Sequence, residues 1–212
     1  MADSRFRDFH QKLVPHCQYS ILGIKLPKLR LLAKSLAAND WRQILAHEPE
    51  SNYHEEIMIR GLIIGYVKDS DIDERLNYLA HIVPSLTNWS LCDSCCSTYQ
   101  FVRKDREKVF QWLKERYLSN NDEFLSRFGI VMLLMHFKKE KDYVSRILES
   151  LKAITTNHYY TQMAIAWCCC ELFIYHPERA DEILSETSFD ETIRRMILQK
   201  IRDSKRCPNI PS

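Results

Sequence analysis

Asn88-Trp89-Ser90-Leu91-Cys92-Asp93-Ser94 reads as the opening of a helix. Asn88 suits the N-cap, because its side-chain oxygen can accept a free backbone N–H of the first turn. Trp89 and Asp93 are four residues apart and so lie one above the other on a single helix face. Leu91, Cys92, Cys95 and Tyr99 point elsewhere and are free to pack. An aromatic plate and a carboxylate on one face is a pairing that core packing does not require.

The rest of the chain reads as more of the same kind of element. Helical spacing of Phe6, Phe9 and Leu13 marks Ser4–Val14, which Pro15 ends. Pro27 suits the first turn of a helix with Leu29, Leu32, Ala33 and Leu36 as its stripe. Asp40 is expected to cap Trp41–Ala46, and Asn52-x-x-Glu55 reads as a capping box opening a helix to about Val67. Asp71 opens a helix to about Val83, closed by Pro84. The Asn88 helix is expected to end near Val102. Helices follow over Arg106–Leu118, Glu123–Phe137 capped by Asn121-Asp122, and through Tyr143, Ile147, Leu148 and Leu151. Asn157-His158 starts another to Tyr175, Pro177 opens a short one through Leu184, and Ser188 is expected to cap the last, to about Ser204. Residues 205–212 read as a loose tail. Four glycines in 212 residues, with no Asn-Gly or Asp-Gly hairpin turn, argue against a sheet.

About a dozen helices and no convincing strand predict an all-α, right-handed solenoid of about six HEAT-like antiparallel helix pairs, one domain over residues 1–204. HEAT-type repeats run to roughly 40 residues. Trp89 and Arg127 are 38 residues apart, and Arg127 and Trp167 are 40 apart. Residues one repeat apart occupy equivalent places on successive helices. Trp89, Asp93, Arg127 and Trp167 are therefore expected on one concave surface, the side on which solenoids bind extended partners.

Composition narrows the class further. A 45% hydrophobic content supports a continuous core, and the net charge of +2 (30 basic, 28 acidic) does not by itself announce a nucleic-acid protein. The N-terminus is polar from the start, and no apolar run reaches membrane-spanning length, so neither a secretion signal nor a membrane is expected. The eight cysteines then read as reduced thiols of a cytoplasmic protein, used as small core residues. Cys92-x-x-Cys95 and Cys168-Cys169-Cys170 lack the loops and finger-spaced histidines of a zinc site, so no metal is expected.

An arginine with tryptophans and a carboxylate suits a ligand with phosphates and sugar-like faces. Arginine grips phosphate in a forked geometry, and tryptophan faces attract positively polarised C–H groups. The carboxylate can stabilise positive charge or orient a water. Each residue also has an ordinary structural reading: Trp89 as a core or rim residue, Asp93 as a first-turn carboxylate, Arg127 as reaching solvent or pairing with Glu123, Trp167 as core. It is the shared phase of the four that points to a site.

Four stretches, Ile21-Leu-Gly-Ile-Lys-Leu-Pro-Lys-Leu-Arg30, Asn88–Ser94, Ser126-Arg-Phe-Gly-Ile-Val-Met-Leu-Leu134 and Tyr159-Tyr-Thr-Gln-Met-Ala-Ile-Ala-Trp167, together resemble the DNA alkylation repair proteins of AlkD type, HEAT-like repeat DNA glycosylases. The resemblance implies a monomer without a cofactor that acts on double-stranded DNA carrying alkylated bases, associating with the nucleoid when bound. It implies hydrolysis of the N-glycosidic bond of N3- and N7-alkylated purines, with Asp93, Trp89 and Trp167 catalytic and Arg127 on a flanking phosphate. Lys25, Lys28, Arg30, Lys138, Lys139, Lys141, Arg194 and Arg195 are the further candidates for the DNA backbone. The competing expectation is a non-catalytic HEAT-like module that binds branched or damaged DNA, or protein, through the same face.

Overall fold

The computed structural model describes residues 2–47, 49, 52–185 and 189–207. Twelve α-helices stand among them, with no strand beyond one isolated bridge between Ser20 and Tyr53. None of these helices is long and apolar enough to cross a membrane. The all-α expectation holds. The chain divides into two compact units, Met1–Asp105 and Arg106–Ser212, taken in turn.

The first unit holds α1 (Ser4–Leu13), α2 (Leu26–Ala37), α3 (Trp41–Ala46), α4 (His54–Tyr66), α5 (Ile72–Ile82) and α6 (Trp89–Cys96). α4 is the centre of the unit and packs against both α2 and α6. It can approach α6 closely because Gly61 and Gly65 lie four apart on one face. A Cβ on Gly61 would come within 2.5 Å of the Cys95 sulfur, and one on Gly65 within 2.7 Å of the Thr98 methyl. Tyr99 closes the contact by donating its hydroxyl to the Gly61 carbonyl at 3.1 Å.

Three local expectations change in this unit. The Asn88 helix ends at Cys96, and its continuation is a 3-10 turn, Gln100–Lys104. Ser97 and Thr98 return their hydroxyls to the Ser94 carbonyl, which offers the backbone another partner where the α-helix stops. Asp40 stands at the N-cap of α3 but makes no side-chain capping bond. The capping box at Asn52 does not form: Tyr53 is the N-cap of α4. The Glu55 carboxylate, 2% exposed, instead accepts three successive backbone N–H groups, Leu22 at 3.0 Å, Gly23 at 2.8 Å and Ile24 at 3.1 Å. Gly23 makes this cradle possible, since its φ of +88° lies where side-chain-bearing residues are strained.

The second unit holds α7 (Arg106–Leu113), α8 (Glu123–His136), α9 (Val144–Lys152), α10 (Tyr159–Tyr175), α11 (Ala180–Leu184) and α12 (Glu191–Asp203). α7 passes into a π-helical turn, Lys114–Leu118, short of the single helix expected to Leu118. Here α10 is central and packs on α8 and α12. Asp122 caps α8 by accepting from Phe124 and Leu125 N–H. Asp190 caps α12; Ser188, the expected cap, lies outside the described residues, as do positions 208–212 of the tail.

All eight cysteines are free thiols, and Cys92, Cys95, Cys96, Cys168 and Cys169 are fully buried. They act as small core residues, Cys92, Cys95 and Cys96 on α6 in the first unit and Cys168 and Cys169 on α10 in the second, and burial pushes the Cys168 thiol up to about 12. Among the described residues no group of three or more His, Cys, Asp or Glu side chains is arranged to hold a metal ion.

Candidate catalytic and DNA-contact residues

Helix α6 presents its two candidates as the sequence spacing required. Asn88 caps it, its side-chain oxygen accepting the Leu91 N–H at 3.1 Å. With Leu91, Cys92, Cys95 and Cys96 buried on one side, the opposite face carries Trp89 and Asp93, both half-exposed. The Trp89 indole N–H donates to the Leu13 carbonyl at 3.1 Å, which fixes the ring at the end of α1. Next to it, Ser90 Oγ lies 3.0 Å from His10 Nε2. A cavity of about 340 Å³ in this unit, lined by Ile57, Arg60, Tyr78 and His81 among others, includes neither Trp89 nor Asp93.

Beyond Ser90 lies a pair of histidines, His10 half-buried and His54 buried, that sequence spacing did not single out. The rings of His10 and His54 meet edge to face at 4.8 Å. His54 is 1% exposed, and burial, reinforced by the neighbouring His10, pushes its imidazole down to about 4 against the pull of Glu55. Burial lowers His10 as well, again against Glu55. Both rings are therefore neutral at physiological pH. The signal in the sequence was His54 beside Glu55, polar residues opening a helix whose later turns are mostly apolar.

In the second unit Arg127 and Trp167 lie on the packed pair α8 and α10. Arg127 is 6% exposed, and its Nη1 donates to the Tyr160 carbonyl at 2.8 Å. It neither projects freely to solvent nor stands as an isolated surface charge; it ties α8 to the first turn of α10. Glu123 works alongside it, accepting the Tyr160 N–H at 2.7 Å. Thr161 donates to the Glu123 carbonyl and the Lys138 carbonyl meets His176 Nε2, pairs 38 residues apart that fix the helix register. That register sets Ile165 level with Arg127, whereas the guanidinium reaches back to Tyr160 in the first turn of α10. Trp167 is half-exposed, so it is not the core residue its apolar neighbours suggest.

The candidate backbone contacts fall into two groups. Lys25, Lys28, Lys139, Lys141 and Arg195 have exposed side chains. Lys25 stands 3.8 Å from Asp3, and Arg195 stands 3.8 Å from Glu191, both in open surface positions. Arg30 and Arg194 are half-buried, Arg30 donating to Ser97 Oγ at 3.0 Å. Lys138 departs from the expectation of a free cation: it pairs at 2.6 Å with Glu171, whose other oxygen takes Arg206 at 2.9 Å. With Glu171 largely buried, Lys138 neutralises an internal carboxylate, and Lys139 beside it is the exposed charge.

The described residues form packed helices with no metal cluster among them, and α6 carries Trp89 and Asp93 on the face away from its buried side chains. The sequence matches the family described as DNA alkylation repair enzyme over residues 4–201, and the chain belongs to that family. This agrees with the AlkD-type resemblance and gives the protein an enzyme's role in DNA alkylation repair. No curated protein and no solved structure gave a match.

Proposed function

We propose that the protein is a DNA glycosylase that removes positively charged N3- and N7-alkylated purines from double-stranded DNA by hydrolysing the N-glycosidic bond. The observation that carries this reading is Asp93, half-exposed one turn from Trp89 on a face of α6 that the core does not use. An alkylated purine already bears positive charge. When the C1′–N bond breaks, the electron pair leaves with the base, which departs neutral, and positive charge develops on the sugar as in glycoside hydrolysis. The Asp93 carboxylate stabilises that charge and orients the water that adds to C1′, taking up its proton. Trp89, one turn from Asp93 on α6, offers an electron-rich face to the cationic sugar. No metal or cofactor takes part in this scheme.

Arg127 has a double part in the proposal. Its guanidinium organises the start of α10 through Tyr160 and presents the same positive charge to a flanking phosphate. Exposed Lys25, Lys28, Lys139, Lys141 and Arg195, with Arg30 and Arg194, supply sequence-independent backbone attraction; Lys138, taken up by Glu171, is not part of this set.

The deciding experiment incubates the protein with methylated duplex DNA and measures released 7-methylguanine and 3-methyladenine. Release with first-order kinetics is expected. The second reading, a non-catalytic module for branched DNA or protein, draws on the structural bond of Arg127. It takes over if no base is released while junction DNA is bound tightly.

A further inference from the structure

We infer that α1 is a positioning element that holds the Trp89 indole in place, and that His10 is the residue that latches it. The inference rests on the reading of Trp89 as part of the catalytic site. Leu13 ends α1, and its carbonyl is among those a helix cannot pair internally. The Trp89 indole N–H occupies that carbonyl at 3.1 Å. The adjacent residue, Ser90, is bonded to His10 at 3.0 Å. Two neighbouring positions on α6 are thus tied to two points of α1 three residues apart, which fixes both the distance and the rotation of one helix against the other.

The other end of α1 is anchored too. Asp3 donates its N–H to the Gly23 carbonyl at 3.1 Å, and its side chain caps the helix at Phe6. Between these anchors little holds the helix. None of its residues is fully buried, and Phe9 and Leu13 are 56% and 41% exposed. Its inner face is Phe6 and His10, half-buried, with His10 edge-on to the buried His54. An element with so few buried apolar contacts belongs to the easily opened part of a structure. Its docking therefore turns on a handful of polar bonds, of which His10 to Ser90 is the one beside Trp89.

His10→Leu and Ser90→Ala each remove the latch from one side. His10→Gln tests rescue, because the glutamine amide can reach the place of Nε2. Single-turnover release of 7-methylguanine is expected to fall about fivefold to tenfold in His10→Leu and in Ser90→Ala, the size of one lost neutral hydrogen bond. Affinity for undamaged duplex is expected to stay within about twofold, and His10→Gln is expected to recover most of the rate. In a Trp89→Phe background, which has no indole N–H, His10→Leu is expected to add no further loss. The difference in fluorescence between each protein and its Trp89→Phe partner is expected to move to longer wavelength in His10→Leu at an unchanged melting temperature. A parental rate in His10→Leu, or a loss fully additive with Trp89→Phe, overturns the inference. If the parent releases no base, the glycosylase reading fails by itself, and the fluorescence difference still decides whether His10 holds Trp89: a shift upholds the latch, and an unmoved spectrum removes it.

Discussion

Replacing Glu55 by glutamine tests the cradle on which α2 hangs. The carboxylate is 2% exposed and holds three consecutive N–H groups of residues 22–24 with its two oxygens, Oε1 taking Gly23 and Ile24 and Oε2 taking Leu22. A glutamine of the same shape keeps one oxygen. Turned toward Gly23 and Ile24, it turns two charge-assisted bonds into neutral ones, a loss of about 1 kcal/mol each. Its amide nitrogen then faces the Leu22 N–H, donor against donor, and leaves that group unsatisfied at a cost of about 1–3 kcal/mol. The flipped amide fares worse, because two N–H groups then meet a donor. The expected destabilisation is about 3–5 kcal/mol, and at about 2–4 °C per kcal/mol for a chain of this size the melting temperature falls by on the order of 10 °C.

The assay is thermal unfolding followed by circular dichroism at neutral pH, with Glu56→Gln as the control for simple loss of charge. The effect should also reach function, because the cradle precedes Lys25, Lys28 and Arg30 directly, and duplex affinity at fixed salt is expected to fall with it. A Glu55→Gln protein that melts within about a degree of the parent refutes the reasoning, since a neutral group would then serve the three N–H groups as well as the carboxylate does.

Three other outcomes are expected. His54 is neutral in the fold, with its imidazole pushed down to about 4, but protonates near 6.5 once unfolded. Its contribution is therefore complete above pH 6.5 and is lost as pH falls from there toward 4, so the parent's melting temperature should drop more steeply over that window than that of His54→Leu. Arg127→Ala is expected to lower the melting temperature by several degrees, because the Tyr160 carbonyl loses its donor, and also to reduce the salt slope of duplex binding by about one unit; a reduced slope at unchanged stability would leave the Tyr160 bond without structural weight. Asp93→Asn keeps size and helix position while removing the charge, so excision is expected to fall on the order of a hundredfold with undamaged-DNA affinity unchanged or improved, and parental excision would reduce Asp93 to a first-turn carboxylate.

How far the sequence reaches depends on whether a signal is local. Asn88, Asp122 and Asp71 were readable as caps because the bond each makes is to a backbone N–H two or three residues on, and all three make it. The face of α6 was readable because 3.6-residue periodicity alone separates Trp89 and Asp93 from Leu91, Cys92 and Cys95. Glu55 was misread for the converse reason. The capping-box pattern is local, but the partners the carboxylate takes lie more than 30 residues back, at a turn that exists only because Gly23 adopts a positive φ. Arg127 and Lys138 carry the same lesson for function. A basic residue in a helix reads as a surface charge until the neighbouring helix supplies the Tyr160 carbonyl or the Glu171 carboxylate that takes it up. Long-range pairs of this kind set which of the basic side chains remain available to a phosphate, and that selection separates Lys139 from Lys138, adjacent in sequence and identical in type. It also explains the His10–His54 contact, which joins α1 to α4 across 44 residues and gives α1, amphipathic but scarcely buried, its hold on the residue that begins α6.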